Sequence, residues 1–398
     1  MKYLIAFLLL PFITASAVSQ SANSIEGTIV NRETGAIIPN ASIFITNTSK
    51  GTVSNSAGKF ELTNVPVGTY DLVTSSIGYE TEVYTYKASQ LPMRMKIQLQ
   101  PKAEELQTVV VAPYEKDGWL TWGQFFTDNF IGTSDNAQSC SIKNYKVLRF
   151  RNSKKKNQLT VTADEPLIIE NKALGYRIQY QLEGFTYNFS EQILTYYGYS
   201  LFTTLQHKGP KEKQLKNREK AYTGSIAHFM SSLYNDRLAG EGFQVRRLVT
   251  TPNVEKNRVQ KLYQQNPQTM LRAKDSVDYY EHVLRQPNML EVYGQSILTA
   301  DSLVTIFDAA AKKLFFSNYL YITYKKAKED AAYVRYIHEN RQPFYPRSIV
   351  FLPNSQAVMV DARGNYYMPL DIMSYGYWGW SEKIANMLPL DYKRKNEQ

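Results

Sequence analysis

The sequence predicts an N-terminal all-β sandwich followed by an α+β domain built mainly on antiparallel sheet. Three observations carry that expectation. Between Ile25 and Tyr79 short apolar runs alternate with Gly, Pro, Asn and Ser turns at about ten-residue spacing, the pattern of a small sandwich. Between Tyr145 and Phe189 apolar and polar residues alternate, the period of half-buried strands. From Lys211 to Ala239 the apolar set Tyr222, Ile226, Phe229 and Leu233 recurs at three- and four-residue intervals, the period of a helix face.

A length of 398 residues suggests about two to three domains. With 43% hydrophobic and 13% aromatic residues the chain has ample material for a packed core, which argues against compositional disorder. The single cysteine, Cys140, excludes an intramolecular disulfide framework and a cysteine-rich zinc site, and reads as a small buried hydrophobe. The formal charge of +10 is uneven. Residues 22–112 hold seven basic and eight acidic side chains, so the excess lies in the region after them. Basic surface of that kind attracts anionic lipid, acidic glycan or nucleic acid, or is simply solvated. Nothing else points to nucleic acid.

In chain order, Lys2, an apolar run from Tyr3 to Ile13 and then small residues form a secretory signal peptide over 1–19. Cleavage fits after Ala17 or after Ser19, with Ser19 preferred. The cleavage region has no Cys, so the lipoprotein route is closed. The apolar run is too short to cross a bilayer and no later run approaches the length required, so no transmembrane helix is expected. Residues 24–100 form the β module. Ile25–Val30 alternates as a first strand, Thr34-Gly35 turns the chain, and Pro39–Ile45 enters a second strand. Asn55-Ser56-Ala57-Gly58 makes a hairpin before Lys59–Leu62, and Val65-Pro66-Val67-Gly68 feeds Thr69–Leu72. Gly51 to Lys59 superficially suggests a phosphate loop, but six residues separate its glycines and Phe60 follows the Lys, so it is read as a hairpin.

The ordered set G-T-I-V, P-N-A-S-I, G-T-V-S-N-S-A-G-K-F, V-P-V-G-T-Y and I-G-Y resembles the carboxypeptidase-regulatory-like (carboxypeptidase D regulatory-like) domain. That resemblance implies a transthyretin-like, Ig-like β-sandwich in an exported protein of the Gram-negative envelope, where such a module commonly precedes an outer-membrane receptor or another envelope domain. It implies no peptidase activity. The family name refers to an accessory domain, and His338-Glu339 does not form the zinc-binding His-x-x-Glu pattern.

Residues 101–118 read as a linker. Its Leu106–Val111 stretch is similar to the lead-in of a receptor plug, yet only about 285 residues follow, with long helical stretches, where a barrel needs many strands of ~10 residues. Residues 119–398 are therefore an α+β domain. The expected elements are a helix from Trp119, and strands at 145–150, 159–163, 176–182 and 185–189. A helix follows over 211–239, with further helices over 253–286 and 300–313. Strands return at 320–324, 348–352 and 357–361, and the last helix runs from Ser381 to Leu388. Several stretches, among them GYWGWSEKIANMLPLDY, look like the uncharacterised C-terminal part of two-domain envelope proteins, a resemblance that brings no activity with it.

Two constellations could carry function. Arg218, Tyr222, Ser225 and His228 would share a face of the 211–239 helix, with Ser225 and His228 one turn apart. A Ser–His pair could act as nucleophile and base. Neighbours on one helix rarely converge on a substrate atom, however, and no strand-to-helix G-x-S-x-G elbow is present, so a buried polar cluster is the expectation. Tyr375, Tyr377, Trp378 and Trp380 are the binding candidates, because aromatic faces stack on sugars or receive cations; the same alternation fits a core strand. The four histidines, His207, His228, His282 and His338, show no metal-ligand spacing, and no cofactor is implied. The reading is an exported, non-enzymatic envelope protein of the periplasm or outer-membrane surface, with possible peripheral contact with the outer membrane. Its partner would be an envelope protein or a glycan. Its rivals are a hydrolase using the second region and a carrier holding an apolar ligand in a curved sheet.

Overall fold

The computed structural model describes residues 23–102, 113–206, 209–265, 274–367 and 369–394. The signal peptide and most of the expected linker lie outside the described residues. So does His207.

The module's strands are β1 (Ser24–Asn31), β2 (Ser42–Ile45), β3 (Gly51–Val53), β4 (Lys59–Thr63), β5 (Thr69–Ser75), β6 (Glu82–Lys87) and β7 (Met93–Leu99). They form two sheets, β4-β1-β7 and β3-β2-β5-β6. The alternation that predicts the strands also fills the space between them. Ile25, Ile29, Phe60 and Leu62 of the first sheet bury against Ile43, Ile45, Tyr70 and Leu72 of the second. β1 is central: it pairs antiparallel with β4 and parallel with β7. Gly27 permits that close pairing, because a Cβ there would sit 2.1 Å from the Met95 carbonyl oxygen. Gly51 to Lys59 is the expected hairpin region, with the Asn55 carboxamide accepting from the backbone N–H of Ala57 and Lys59.

The second region begins with α1 (Gly118–Phe130). It covers a sheet of β8 (Cys140–Ile142), β9 (Leu148–Ser153), β10 (Gln158–Ala163), β11 (Leu167–Asn171), β12 (Tyr176–Asn188) and β13 (Ile193–Thr204). The long β12 pairs with β10 and β11 along one edge and with β13 along the other, all antiparallel. Phe126 and Phe130 of α1 pack on Phe150, Phe185 and Tyr180, which fixes the helix on the sheet.

The single helix expected over 211–239 is instead three: α2 (Glu212–Tyr222), α3 (Ile226–Tyr234) and α4 (Leu238–Glu241). The break has a local cause. Gly224 takes a left-handed φ of +79°, and a Cβ there would meet the Tyr324 ring at 2.8 Å. Ser225 then caps α3, its hydroxyl oxygen accepting from the His228 backbone N–H.

The remaining elements in order are β14 (Phe243–Pro252), α5 (Val254–Gln265), α6 (Lys274–Arg285), β15 (Met289–Leu298), β16 (Val304–Ile306), β17 (Ala311–Leu314), β18 (Tyr319–Tyr324), α7 (Ala331–Tyr336), β19 (Arg347–Phe351), β20 (Val358–Asp361), β21 (Tyr366–Tyr367), β22 (Met373–Gly376) and α8 (Tyr377–Ser381). They supply two antiparallel sheets, β15-β14-β18-β19-β22 and β16-β17-β20-β21. Phe229, Met230 and Leu233 of α3 are buried in one core with Val245, Leu320, Ile322, Val350, Val358 and Val360. The helix expected over 300–313 is a hairpin: the Asp308 carboxylate accepts from the N–H of Ala310 and Ala311, and Val304 pairs with Leu314 across it. The helix expected from Ser381 is replaced by the earlier α8 and a short 3-10 turn at Ile384–Asn386.

The module docks directly on the second region. Thr48 bridges to Leu201 in parallel pairing, and the Phe202 N–H donates to the Thr48 carbonyl. The Tyr70 hydroxyl donates to Asp361 Oδ2 at 3.0 Å. Asp391 accepts from both the backbone N–H and the hydroxyl of Ser49. Leu390 packs against the sandwich core.

Candidate functional site

Strand register decides which aromatic side chains share a face. Directly paired residues in an antiparallel sheet point the same way. Leu320, Ile322 and Val350 face the core beneath α3, so their neighbours in sequence face out. One outward row crosses the sheet as Arg246, Tyr321, Ile349 and Tyr375. The next runs Tyr293, Leu248, Tyr319, Phe351 and Met373. Rings in these rows touch: Tyr293 and Tyr321 lie 4.8 Å apart, Tyr319 and Phe351 5.6 Å, and Phe351 and Tyr375 6.4 Å between centroids. Tyr293 and Tyr375 are 45% and 40% exposed, so the face is reachable at its two edge strands, while Leu248 and Ile349 between them are buried. Its charged groups are internally engaged. The Arg246 guanidinium donates to the carbonyls of Gly294 and Gln295, and the Tyr293 hydroxyl donates to Glu291. Burial pushes the Tyr375 phenol up to about 12, so the hydroxyl remains a neutral donor and acceptor at ordinary pH.

The aromatic group expected as one unit is thus divided. Tyr375, at the end of β22, joins the outward rows. Tyr377, Trp378 and Trp380 lie on α8, not on the alternating strand that was one reading of them. Trp378 is buried against Phe229 and donates its indole N–H to the Gly224 carbonyl at 2.8 Å. Trp380 is buried among Tyr333 and Tyr377 and donates to the Thr133 hydroxyl at 2.9 Å. Both indoles belong to the interior. Tyr293, Tyr319, Tyr321 and Phe351 were missed. The period-two Tyr319–Tyr321 pair is the signal that could have found two of them; Tyr293 needs the register.

The polar group is brought together, though not as one helix face. Arg218 of α2 is buried, donating from Nε to the Leu174 carbonyl at 2.8 Å and lying 3.9 Å over the Tyr176 ring. The Tyr222 ring lies tilted against that of His228, with centroids 5.0 Å apart. The Gly224 N–H donates to His228 Nδ1 at 3.1 Å, which leaves Nε2 to carry the proton and face Glu241 Oε2 at 3.2 Å. Burial holds the imidazole below its ordinary value, against the opposing pull of Glu241. The Ser225 oxygen accepts a backbone N–H instead of donating to the imidazole, so the two side chains do not form a nucleophile–base pair. Their geometry is that of a cap and a buried ring. Cys140 is half-buried and its thiol is pushed up to about 12 by desolvation, which makes it a poor nucleophile. Among the described residues no three His, Cys, Asp or Glu side chains converge on a metal position. Among the same residues no helix is long and apolar enough to cross a membrane, a statement that does not bear on strands.

Comparison with known proteins identifies the first region. Residues 25–111 match the CarboxypepD_reg-like domain, so the module carries the family's regulatory-like sandwich; the match does not extend to the second region. No curated protein matches the chain in sequence. Among solved structures, a type II cohesin–X-dockerin complex from Acetivibrio cellulolyticus shares 22% identity over 20% of this chain and 58% of its own, with a TM-score of 0.18. This chain therefore spans little more than half of that one. A candidate carbohydrate-binding protein from Bacteroides uniformis matches at 12% identity over 46% of this chain and 80% of its own, TM-score 0.16. A candidate membrane-associated protein of unknown function from Bacteroides fragilis matches at 10% identity over 89% and 95%, TM-score 0.17. At these scores the likenesses carry no argument about function.

Proposed function

We propose that the chain is an exported, non-enzymatic cell-envelope protein that binds a neutral glycan on the tyrosine face of its second region. The observation that carries this reading is the pair of outward rows across β14, β15, β18, β19 and β22. Aromatic rings on neighbouring strands, tilted or edge-on to one another, offer apolar surface on which sugar rings can pack, and phenol hydroxyls at the rim can exchange hydrogen bonds with sugar hydroxyls. Arg246 and Glu291 are held by hydrogen bonds to backbone carbonyls and to the Tyr293 hydroxyl, and the other residues of the two rows are uncharged, which suits a neutral partner. The sequence supports the rest: the Lys2 and apolar-run pattern supports export, and the matched module supports an envelope setting. The capping role of Ser225 supports binding without turnover.

The test is calorimetric titration of the full chain with cellohexaose, maltohexaose and chitohexaose. At least one is expected to bind. Tyr293→Ala with Tyr375→Ala should weaken it by about tenfold or more, the effect of roughly 1.4 kcal/mol, at unchanged melting temperature. Failure of all three to bind the wild-type chain, or binding indifferent to both substitutions, would remove the glycan reading.

A further inference from the structure

Three cations at the adjoining ends of β18 and β19 rest on aromatic rings. Tyr345 carries two of them, with the Lys325 ammonium 4.5 Å and the Lys328 ammonium 3.8 Å from its ring centroid. The Phe344 ring packs edge-on to Tyr345, with centroids 5.3 Å apart. It carries Lys328 again at 5.2 Å and the Arg347 guanidinium at 4.7 Å. A ring face fixes where a cation sits, but it does not neutralise the charge or use up the N–H donors. Among the described residues no carboxylate lies within ion-pair distance of Lys325, Lys328 or Arg347, and none of the three donates a side-chain hydrogen bond within the chain. The carboxylate bound closest to the rings is Glu329, which accepts from the Phe344 backbone N–H. It is buried and paired with Arg341, and Arg341 also pairs with Glu339. One guanidinium against two carboxylates leaves that trio a single negative charge, short of the three cations on the rings. Lys325, Lys328 and Arg347 are exposed, and the Phe344 ring is 45% exposed among them.

We infer that this patch seats the protein on an anionic lipid surface. Phosphate oxygens of the headgroups would accept from the ammonium and guanidinium groups, and the Phe344 ring would enter the layer between headgroups and acyl chains. The exposed ring favours a membrane over a free phosphate, because an ion in water offers no apolar layer to cover it. Arg347 pairs with Thr323, one cross-strand row beyond Tyr321 and Ile349 and on the same side of the sheet, so the patch borders the tyrosine face. The inference does not depend on the glycan reading.

The experiment sediments the full chain at low salt with vesicles of phosphatidylcholine and phosphatidylglycerol in equal parts, and with vesicles of phosphatidylcholine alone. The mixed vesicles should bind the chain about tenfold or more tightly than the neutral ones. Added salt should weaken that binding, since exposed charges are screened over ~8 Å at physiological ionic strength. K325Q/K328Q/R347Q loses about tenfold or more on the mixed vesicles. F344S loses about threefold or more. K154Q/K155Q/K156Q removes the same charge from the exposed turn between β9 and β10 and stays within about twofold of the wild type. Melting curves check that the variants fold, and K325E, a single exposed change, repeats the test should the triple variant not fold. Tyr293→Ala with Tyr375→Ala should bind the vesicles as the wild type does, which keeps a failure of the glycan reading distinct. No preference for the mixed vesicles overturns the inference. So does equal loss in the two triple variants, which would show diffuse attraction to a basic protein, or full vesicle affinity in F344S.

Discussion

Two sheets of this molecule treat their second face differently. The sheet β3-β2-β5-β6 of the module has one face in the sandwich core, and Phe44 and Val73 on its other face are 1% and 0% exposed. Leu201 of β13 packs over Gly51, beside Phe44, where the second region comes down on the module. The sheet β15-β14-β18-β19-β22 also has one face in a core, beneath α3, but its other face leaves Tyr293 and Tyr375 nearly half exposed. A sheet covered on both faces is a structural part. A sheet whose second face is aromatic and still exposed at its edges, at Tyr293 and Tyr375, has surface to offer a ligand. The family-matched module is therefore the docked component, and the proposed binding surface belongs to the region that the family match leaves out.

The comparison can be broken most directly at two residues three positions apart. Trp378→Ala empties an indole site in the core and leaves the Gly224 carbonyl without its donor. It should cost ~3–5 kcal/mol. Tyr375→Ala, on the open face, should change stability by no more than about 0.5 kcal/mol. Urea unfolding of the two variants measures both. Equal costs would mean that the tyrosine face is covered after all.

The module's docked status makes the next largest effect. Tyr70→Phe leaves the buried Asp361 carboxylate with only the backbone N–H groups of Arg363 and Asn365, at a cost of about 2 kcal/mol. A protease site engineered into residues 103–112 sharpens the point. After cutting, the module and the second region should still elute together on gel filtration. A module that leaves as a free fragment would show that the covalent tether, and not the junction, holds it.

The module was legible in the sequence because its signals are local. Turn residues such as Asn55 and Gly58 sit beside the strands they connect, and alternation within Lys59–Thr63 decides which side faces the core. The tyrosine face was not legible because its rows join five strands drawn from residues 243 to 376, and only their register aligns Tyr321 with Tyr375. Helical periodicity misled at 211–239 for a related reason. Tyr222, Ile226 and Phe229 keep the spacing of one helix, yet Gly224 among them takes a left-handed φ at a place where a Cβ would meet the ring of Tyr324, about a hundred residues away. The short apolar run at 300–313 fits helix and strand alike, and Asp308 decides for the hairpin.

The smallest effect concerns Glu382, just past α8, where the open sheet's last strand leads back to the covered interior. Its Oε1 accepts from the Ile226 N–H at 3.3 Å, and burial raises the carboxyl to about 7 despite that bond and one from Ser381. The folded chain thus keeps this proton to near neutrality, while the unfolded chain releases it near 4.5. The stabilisation is fully present below pH 4.5 and is lost as pH rises through 7. Glu382→Gln, which stays neutral, should match the wild type near pH 4.5. Above pH 7 it should be the more stable by on the order of 1–2 kcal/mol, a figure reduced for partial solvent access. His228 acts in the opposite sense: burial favours its neutral form, so its contribution is lost as pH falls below 6.5. It is common to both proteins and cancels in their difference. Thermal melts of the pair across this pH range give that difference directly. A gap that opens toward low pH would mean that Glu382 is ionised in the folded chain. Binding on the tyrosine face should not follow the gap, because Glu382 belongs to the covered side of the comparison.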